Sequence, residues 1–268
     1  MSYRDLDRPP LDVRAMRAAL SGPGRFWTDV VVTAETGSTN ADVAAAARAG
    51  APEGTVHVTD QQTSGRGRLD RSWTSPAGSG VIVSVLLRPD SVPAARWVWL
   101  PLLVGLAVDA AVHECGVASG LKWPNDVLVD GRKIAGILLE RVETAQGAAA
   151  VVGVGLNVTL RADELPVPTA TSLALEGATE TDRTIVVRAL LRNLEALYRA
   201  WSVSGGDPSG GIRDSYVRRC VTIGSRVRVV LPRDEVLEGQ ATGIDEHGRL
   251  LVDGRAVSAG DVTHVRPA

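Results

Sequence analysis

The sequence predicts an α+β protein, in which a largely antiparallel sheet backed by helices is followed by a small C-terminal β barrel of SH3-like size. Three observations carry this. Runs rich in Val and Ile alternate with helical stretches up to about residue 219. Two of those runs meet at an Asp130-Gly131 turn, a hairpin signal. Beyond residue 220 only short strands remain, divided by Gly-containing turns. At 268 residues, 44% hydrophobic and 22% charged, the chain is long enough for one large core and a small second domain. We expect those domains over 1–219 and 220–268.

The elements follow in order. "LDVRAMRAAL" reads as a short helix and "VVVTAE" as a strand; "STNADVAAAARAG" is an Ala-rich helix with a Ser/Thr/Asn start and a stop at Gly50. "TVHVTD" and "VIVSVLLRP" are strands flanking "DQQTSGRGRLDRSWTSPAGSG", which is too rich in Gly and Ser for either regular structure. "WVWLPLLVGLAVDAAV", from Trp97, is broken by Pro101, Gly105 and Asp109 and falls short of the ~20 residues of a membrane span, so a buried core helix is expected. "DVLVDGRKIAGILLERVE" is the hairpin, and "AAAVVGVGLNV" a further strand. Val186, Leu190, Leu194, Leu197 and Trp201 recur at helical spacing; a Gly/Ser/Pro linker at 204–211 and a short helix come next. "TIGSRVRVVLP", "EVLEGQATGID", "GRLLVDG" and "AVSAGDVTHVRP" supply the strands of the small barrel.

Composition excludes several classes. A formal net charge of −2 and a pI near 6.1 leave no basic face for general nucleic-acid or membrane binding. Cys115, Cys220, His57, His113, His247 and His264 show no metal-ligand spacing, so no protein-held metal is expected and a reducing cytoplasm is the expected compartment. "MSYRDLDRPP" is charged and lacks the apolar region of a signal peptide.

The local motifs are two-sided. Arg66, Arg68 and Arg71 are either a solvated charged loop, a fragment of RNA-binding type, or a loop that folds over an anion. Gly65 and Gly67 favour the last by letting backbone N–H groups approach, guanidinium forks suit phosphate oxygens, and Trp73 adds a flat face for stacking. Ser38, Thr39 and Asn40 can each cap the following helix, yet three exceed what one cap needs and leave polar groups for a ligand oxygen. Lys122 and Lys133 bracket the hairpin, as solvated surface charges or as groups facing a pocket, and Gly136 opens space in its strand. Asp126 is either a turn acid, an acceptor for a proton from an amine, or a holder of the neighbouring lysine. "GVGLN" lacks the third glycine and the following helix of a dinucleotide fingerprint.

"STN", "QQTSGRGR", "KWPNDVLVDGRKIAGILLE" and "GVGLNV", in this order and at these separations, resemble the biotin protein ligase (biotin–[acetyl-CoA-carboxylase] ligase) family from about residue 28 to the end. The resemblance implies a catalytic domain related to class II aminoacyl-tRNA synthetases, with a mixed sheet and helices, and an SH3-like tail. It implies that Ser38, Thr39, Asn40 and Gln62 contact the biotin ring system, and that Arg66, Gly67 and Arg68 close on the carboxyl end and phosphate. It places Lys133 beside the biotin carboxylate and Gly136, Gly153 and Gly155 in the pocket wall. Trp73, Asn125, Asp126 and Asn157 then fall on the nucleotide side, with Lys122 a phosphate partner. The implied substrates are biotin and ATP with Mg²⁺, the implied partner a biotin carboxyl carrier domain, and the implied oligomeric state a monomer or weak homodimer. A lipoate-type acyl-adenylate ligase is the alternative; a biotin-dependent repressor is not expected, since about 27 residues precede the first core strand. Where the family pattern usually has Gly this chain has Asp70, which is expected to pair with Arg68 or Arg71 in the unliganded loop.

Overall fold

The structure, a computed structural model, describes residues 8–69, 71–231, 235–258 and 261–265. Asp70 and its expected pairing lie outside the described residues. Helix α1 (Val13–Leu20) leads into β1 (Asp29–Thr36), α2 (Thr39–Arg48), β2 (Thr55–Gln62) and β3 (Gly80–Leu87). A 3₁₀ turn over Ala94–Trp99 runs directly into α3 (Leu100–Glu114). Then come β4 (Gly120–Lys122), β5 (Asp126–Val129), β6 (Arg132–Thr144), β7 (Gly147–Asn157), α4 (Arg183–Val203) and α5 (Ile212–Arg219). The β5–β6 hairpin turns at Asp130 and Gly131, whose φ of 47° and 76° are the two positive values a tight two-residue turn needs.

These strands form one mixed sheet in the order β1-β2-β3-β7-β6-β5-β4. Only β1 and β2 run parallel; every other pairing is antiparallel. Strand alternation sorts the two faces. Val81, Val83, Val85 and Leu87 of β3 join the main core with α3 and α4, whereas Leu86 packs with Val43, Ala44 and Ala47 of α2. Ile82 and Ser84 share the parity of Leu86; Ser84 meets only the first residues of α2, and this part of the sheet carries a cavity.

The apolar helix differs from expectation in length. The 3₁₀ turn and α3 together give a helical run of 21 residues, long and apolar enough to cross a membrane, and 72% of its apolar window is buried inside the fold. Pro101 does not interrupt it, because it falls in the first turn of α3, where its missing N–H has no partner to lose. Burial, not shortness, marks it as a core helix.

The C-terminal strands are β8 (Arg226–Val230), β9 (Val236–Ile244), β10 (Leu250–Val252), β11 (Arg255–Val257) and β12 (Asp261–His264), an antiparallel sheet in the order β11-β10-β9-β8-β12. The boundary drawn from the sequence at 219/220 lies between α5 and β8. Val227, Val229, Ile244, Leu250 and Val262 belong to the same apolar cluster as the main core. Trp123 and Trp99 fasten the two sheets, their indole N–H groups donating to the carbonyls of Gly248 and Glu246, each at 3.0 Å.

Candidate active site

The residues expected of the site line one cavity of about 930 Å³, measured to its open mouth, with two exceptions, Gly65 and Asn157. The first wall is the start of α2. Ser38 is the N-cap residue, yet its side chain makes no cap bond, and Thr39 and Asn40 turn to the sheet instead. Gln62 Oε1 accepts from Thr39 N (2.8 Å) and Oγ1 (3.0 Å); Thr39 Oγ1 meets Ser84 Oγ at 2.7 Å, and Ser84 Oγ donates to Asn40 Oδ1 at 2.6 Å. Thr39, Asn40 and Ser84 are all buried. Buried polar groups this densely linked fix each other's orientation and leave defined donors and acceptors for a ligand.

The second wall is glycine. Gly136 of β6 and Gly153 and Gly155 of β7 lie on the cavity face. A Cβ on Gly153 would stand 2.2 Å from Asn40 Oδ1, and one on Gly155 would stand 2.3 Å from Trp73 Cε2. The glycines are therefore a space already used by two cavity side chains. Trp73, expected on the nucleotide side, lies against Gly155 and Gly136, because the loop before it folds as a hairpin that returns the chain across the sheet.

That hairpin is the arginine segment. Arg66 bridges to Ser72, Gly67 N donates to Arg71 O at 2.6 Å, and Trp73 N donates to Gly65 O at 2.9 Å. Gly65 thus stands behind the cavity at the loop's stem, where a Cβ would come within 2.3 Å of Trp73 O. Arg66 Nη2 pairs with Glu140 Oε2 at 3.2 Å, and Arg68 Nη1 donates to Asn125 Oδ1 at 3.1 Å.

The third side is the turn from Lys122 to Asp126 and the strand that returns to it. The β5–β6 register shifts so that Leu128 faces Lys133 while Val127 faces Ala135, leaving Ile134 as an extra residue. Ile134 and Ala135 both point into the core, and this bulge turns Lys133 onto the cavity face. Its Nζ lies 2.6 Å from Asp126 Oδ1 and 5.7 Å from the centre of the Trp73 ring. Of the readings open for Asp126, the structure displays a carboxylate that holds the lysine. Asn157 acts from behind the wall: buried, it donates to Thr171 O at 2.9 Å, and Thr171 N donates to Lys133 O at 2.9 Å.

The small sheet reaches the same site. Val262 lines the cavity, and Trp123 N donates to Thr222 Oγ1 at 3.1 Å, which in turn meets His264 Nε2 at 3.1 Å. Burial, and then the charge of Lys122, hold His264 below the ordinary imidazole pKa. Sequence reasoning missed Ser84, Glu140, Thr222 and Val262. Ser84 had a signal, as the lone polar residue inside "VIVSVLL"; the others had none. Among the described residues no group of three or more His, Cys, Asp or Glu could hold a metal ion.

Chemically, the cavity joins a buried hydrogen-bonding end, where Arg66 shares Glu140 with Asn40, to a cationic side carrying Arg68, Lys122 and Lys133. Comparison with known proteins agrees in kind. Residues 36–157 match the Biotin/lipoate A/B protein ligase family and residues 222–265 the Biotin protein ligase C terminal domain. The chain is 46% identical to a Mycobacterium tuberculosis biotin–[acetyl-CoA-carboxylase] ligase over 99% of its own length and 100% of that protein's. It is 36% identical to the bifunctional ligase/repressor BirA of Bacillus subtilis, over 76% of this chain and 62% of that one. Among solved structures, the biotin protein ligase from Aquifex aeolicus in complex with biotin and ATP superposes with a TM-score of 0.75 at 26% identity, over 90% of this chain and 100% of that one.

Proposed function

This chain belongs to the biotin protein ligase family, and from that premise we propose that it activates biotin with ATP to biotinyl-5′-AMP and transfers biotin to a lysine of a biotin carboxyl carrier domain. The observation that carries the reading is the single cavity, which pairs a polar end suited to a cyclic urea with a cationic end suited to carboxylate and phosphates.

In the first step the biotin carboxylate attacks the α-phosphorus of MgATP, an acyl C–O–P link forms and pyrophosphate leaves. Two anions must meet. Lys122, Lys133 and Arg68 at the cavity, joined by Arg66 once it leaves Glu140, offset that repulsion, and alignment in the cavity supplies the rest. No side-chain nucleophile is needed. In the second step the carrier lysine's ε-amine attacks the acyl carbon, a C–N bond forms, AMP leaves with the bonding pair, and the amine sheds a proton. Asp126 is the one carboxylate among the described residues that lines the cavity, and it is held by Lys133.

Loss of the loop's clamp should release the intermediate. Arg66→Ala is expected to bind biotin but to lose biotinyl-AMP into solution faster, by about tenfold, since a charged hydrogen bond to phosphate is worth roughly 1.5–3 kcal/mol. Retention of radiolabelled adenylate on a desalting column measures this; equal retention by both proteins would remove Arg66 from the clamp.

A lipoate-type ligase is the second reading, because the matched family includes lipoate ligases. The buried set of Thr39, Asn40, Gln62 and Ser84 opposes it: a dithiolane ring offers that set no hydrogen bond, and unpaired buried polar groups reject such a ligand strongly. ATP–pyrophosphate exchange driven by biotin and not by lipoate is the expected result. No exchange with biotin, or equal exchange with both, would overturn the assignment.

Use of ATP as its Mg²⁺ complex follows from the phosphate chemistry. General nucleic-acid or membrane binding is opposed by the net charge of −2, a cytoplasmic location is favoured by two free cysteines, and a monomer or weak dimer is carried over from the family resemblance.

A further inference from the structure

Glu140 does not line the cavity, yet two side chains that do line it end on a single one of its oxygens. Asn40 Nδ2 donates to Glu140 Oε2 at 2.7 Å, and Arg66 Nη2 reaches the same atom at 3.2 Å. We propose that Glu140 is a positioning residue for ring recognition: it fixes the Asn40 amide with its carbonyl oxygen toward the cavity, so that this end of the site accepts a hydrogen bond from a ligand N–H. The inference rests on biotin being the ligand.

Hydrogen-bond polarity fixes the orientation of the amide. A carboxylate paired with a guanidinium only accepts, so the face of the Asn40 amide turned to Glu140 must be its NH₂. Its oxygen then lies on the side of Ser84 and Gly153, which line the cavity. Between Gln62 and Asn40 two hydroxyl groups make three contacts. At one end Gln62 Oε1 accepts from Thr39, and at the other the Ser84 hydroxyl donates to Asn40 Oδ1. The Asn40 amide thus accepts from Ser84 through its oxygen and donates to Glu140 through its NH₂.

Without that carboxylate the Asn40 NH₂ keeps only the Leu138 carbonyl, at 3.5 Å. Ser84 Oγ accepts as readily as it donates, so the Asn40 amide can turn over and show its NH₂ to the ring. A ligand N–H would then face a donor, and a buried site of the wrong polarity discriminates hard against its ligand.

Biotin affinity, measured by calorimetry on the full chain without ATP, tests this. Glu140→Gln keeps an acceptor for Asn40 and should bind within about threefold of the unsubstituted protein, whereas Glu140→Met, of similar length but without a strong acceptor, should bind about tenfold or more weakly. Glu140→Ala should repeat the Met result if Met perturbs folding. The loss must pass through Asn40: added to Asn40→Ala, Glu140→Met should cost less than about twofold more, while added to Arg66→Ala it should cost its full factor. Unchanged binding by Glu140→Met, or a full loss in the Asn40→Ala background, overturns the proposal. A loss that vanishes in the Arg66→Ala background assigns Glu140 to the loop instead. If the unsubstituted protein bound no biotin, the functional assignment would fall, which is a separate outcome.

Discussion

Lys133→Ala is expected to stay folded and to form biotinyl-AMP roughly 30- to 1,000-fold more slowly, a loss of about 2–4 kcal/mol of barrier stabilisation. The lysine side chain is 37% exposed and belongs to no apolar cluster, so its removal opens no hole in the core. Its position is set by its neighbours, with the bulge at Ile134 turning it to the cavity and Asp126 holding its ammonium at 2.6 Å. Deleting it removes a positive charge and also leaves the Asp126 carboxylate, 18% exposed, facing the incoming anions unneutralised. Two effects of one sign therefore add. Asp126→Asn in the Lys133→Ala background should recover part of the rate, because only the second effect is relieved. Pyrophosphate exchange reports the chemistry and thermal unfolding reports the fold; an unchanged exchange rate in a folded variant would exclude Lys133 from the reaction.

Gly155→Ala should weaken biotin binding about 5- to 150-fold, the equivalent of roughly 1–3 kcal/mol of overpacking. The backbone there is ordinary strand, so one methyl group is the whole perturbation. That methyl would sit 2.3 Å from Trp73 Cε2, 2.6 Å from Cζ2 and 2.7 Å from Nε1. The indole must leave its wall, and it carries the loop stem with it through the Trp73 to Gly65 hydrogen bond. Gly243→Ala is the matched control, since its methyl would meet nothing nearer than Leu251 Cδ1 at 3.9 Å. Calorimetry with biotin separates the two; equal affinities would show that Trp73 can move without consequence.

Signals confined to a few neighbouring residues were legible in the sequence. The Asp130-Gly131 turn, the helix over 183–203 and the excess of capping residues at Ser38, Thr39 and Asn40 needed nothing beyond local stereochemistry. The resemblance then gathered residues that the structure brings to one cavity. What stayed hidden depends on partners far along the chain. Lys133 faces the cavity only because β6 holds one residue more than β5 can match, and a bulge is invisible until two strands are aligned. Glu140 reads as one more residue of an ordinary strand until Asn40, a hundred positions earlier, is laid on it. Asn157 closes a strand in the sequence, but in the fold it braces the segment that carries Lys133. The apolar run read from Trp97 to Val112 fell short of a span because the helical run also takes in residues 94–96 before it and His113 and Glu114 after it.

The shared core of the two sheets has a consequence for how the protein can be altered. Trp123 is buried between them, donating to Thr222 through its backbone and to Gly248 through its ring, one residue away from Lys122 and two from Asn125. The turn that carries the cavity's third side is thus upholstered by a part of the chain a hundred residues downstream. Sequence similarity divides the protein into two matched families, but its interior is not divided in the same place. Grafting a tail from a relative would therefore replace the bearing surface under the Trp123 turn as well as the tail itself. A chimera would inherit catalytic competence only where both indole hydrogen bonds, and the hydroxyl at 222, came with compatible packing.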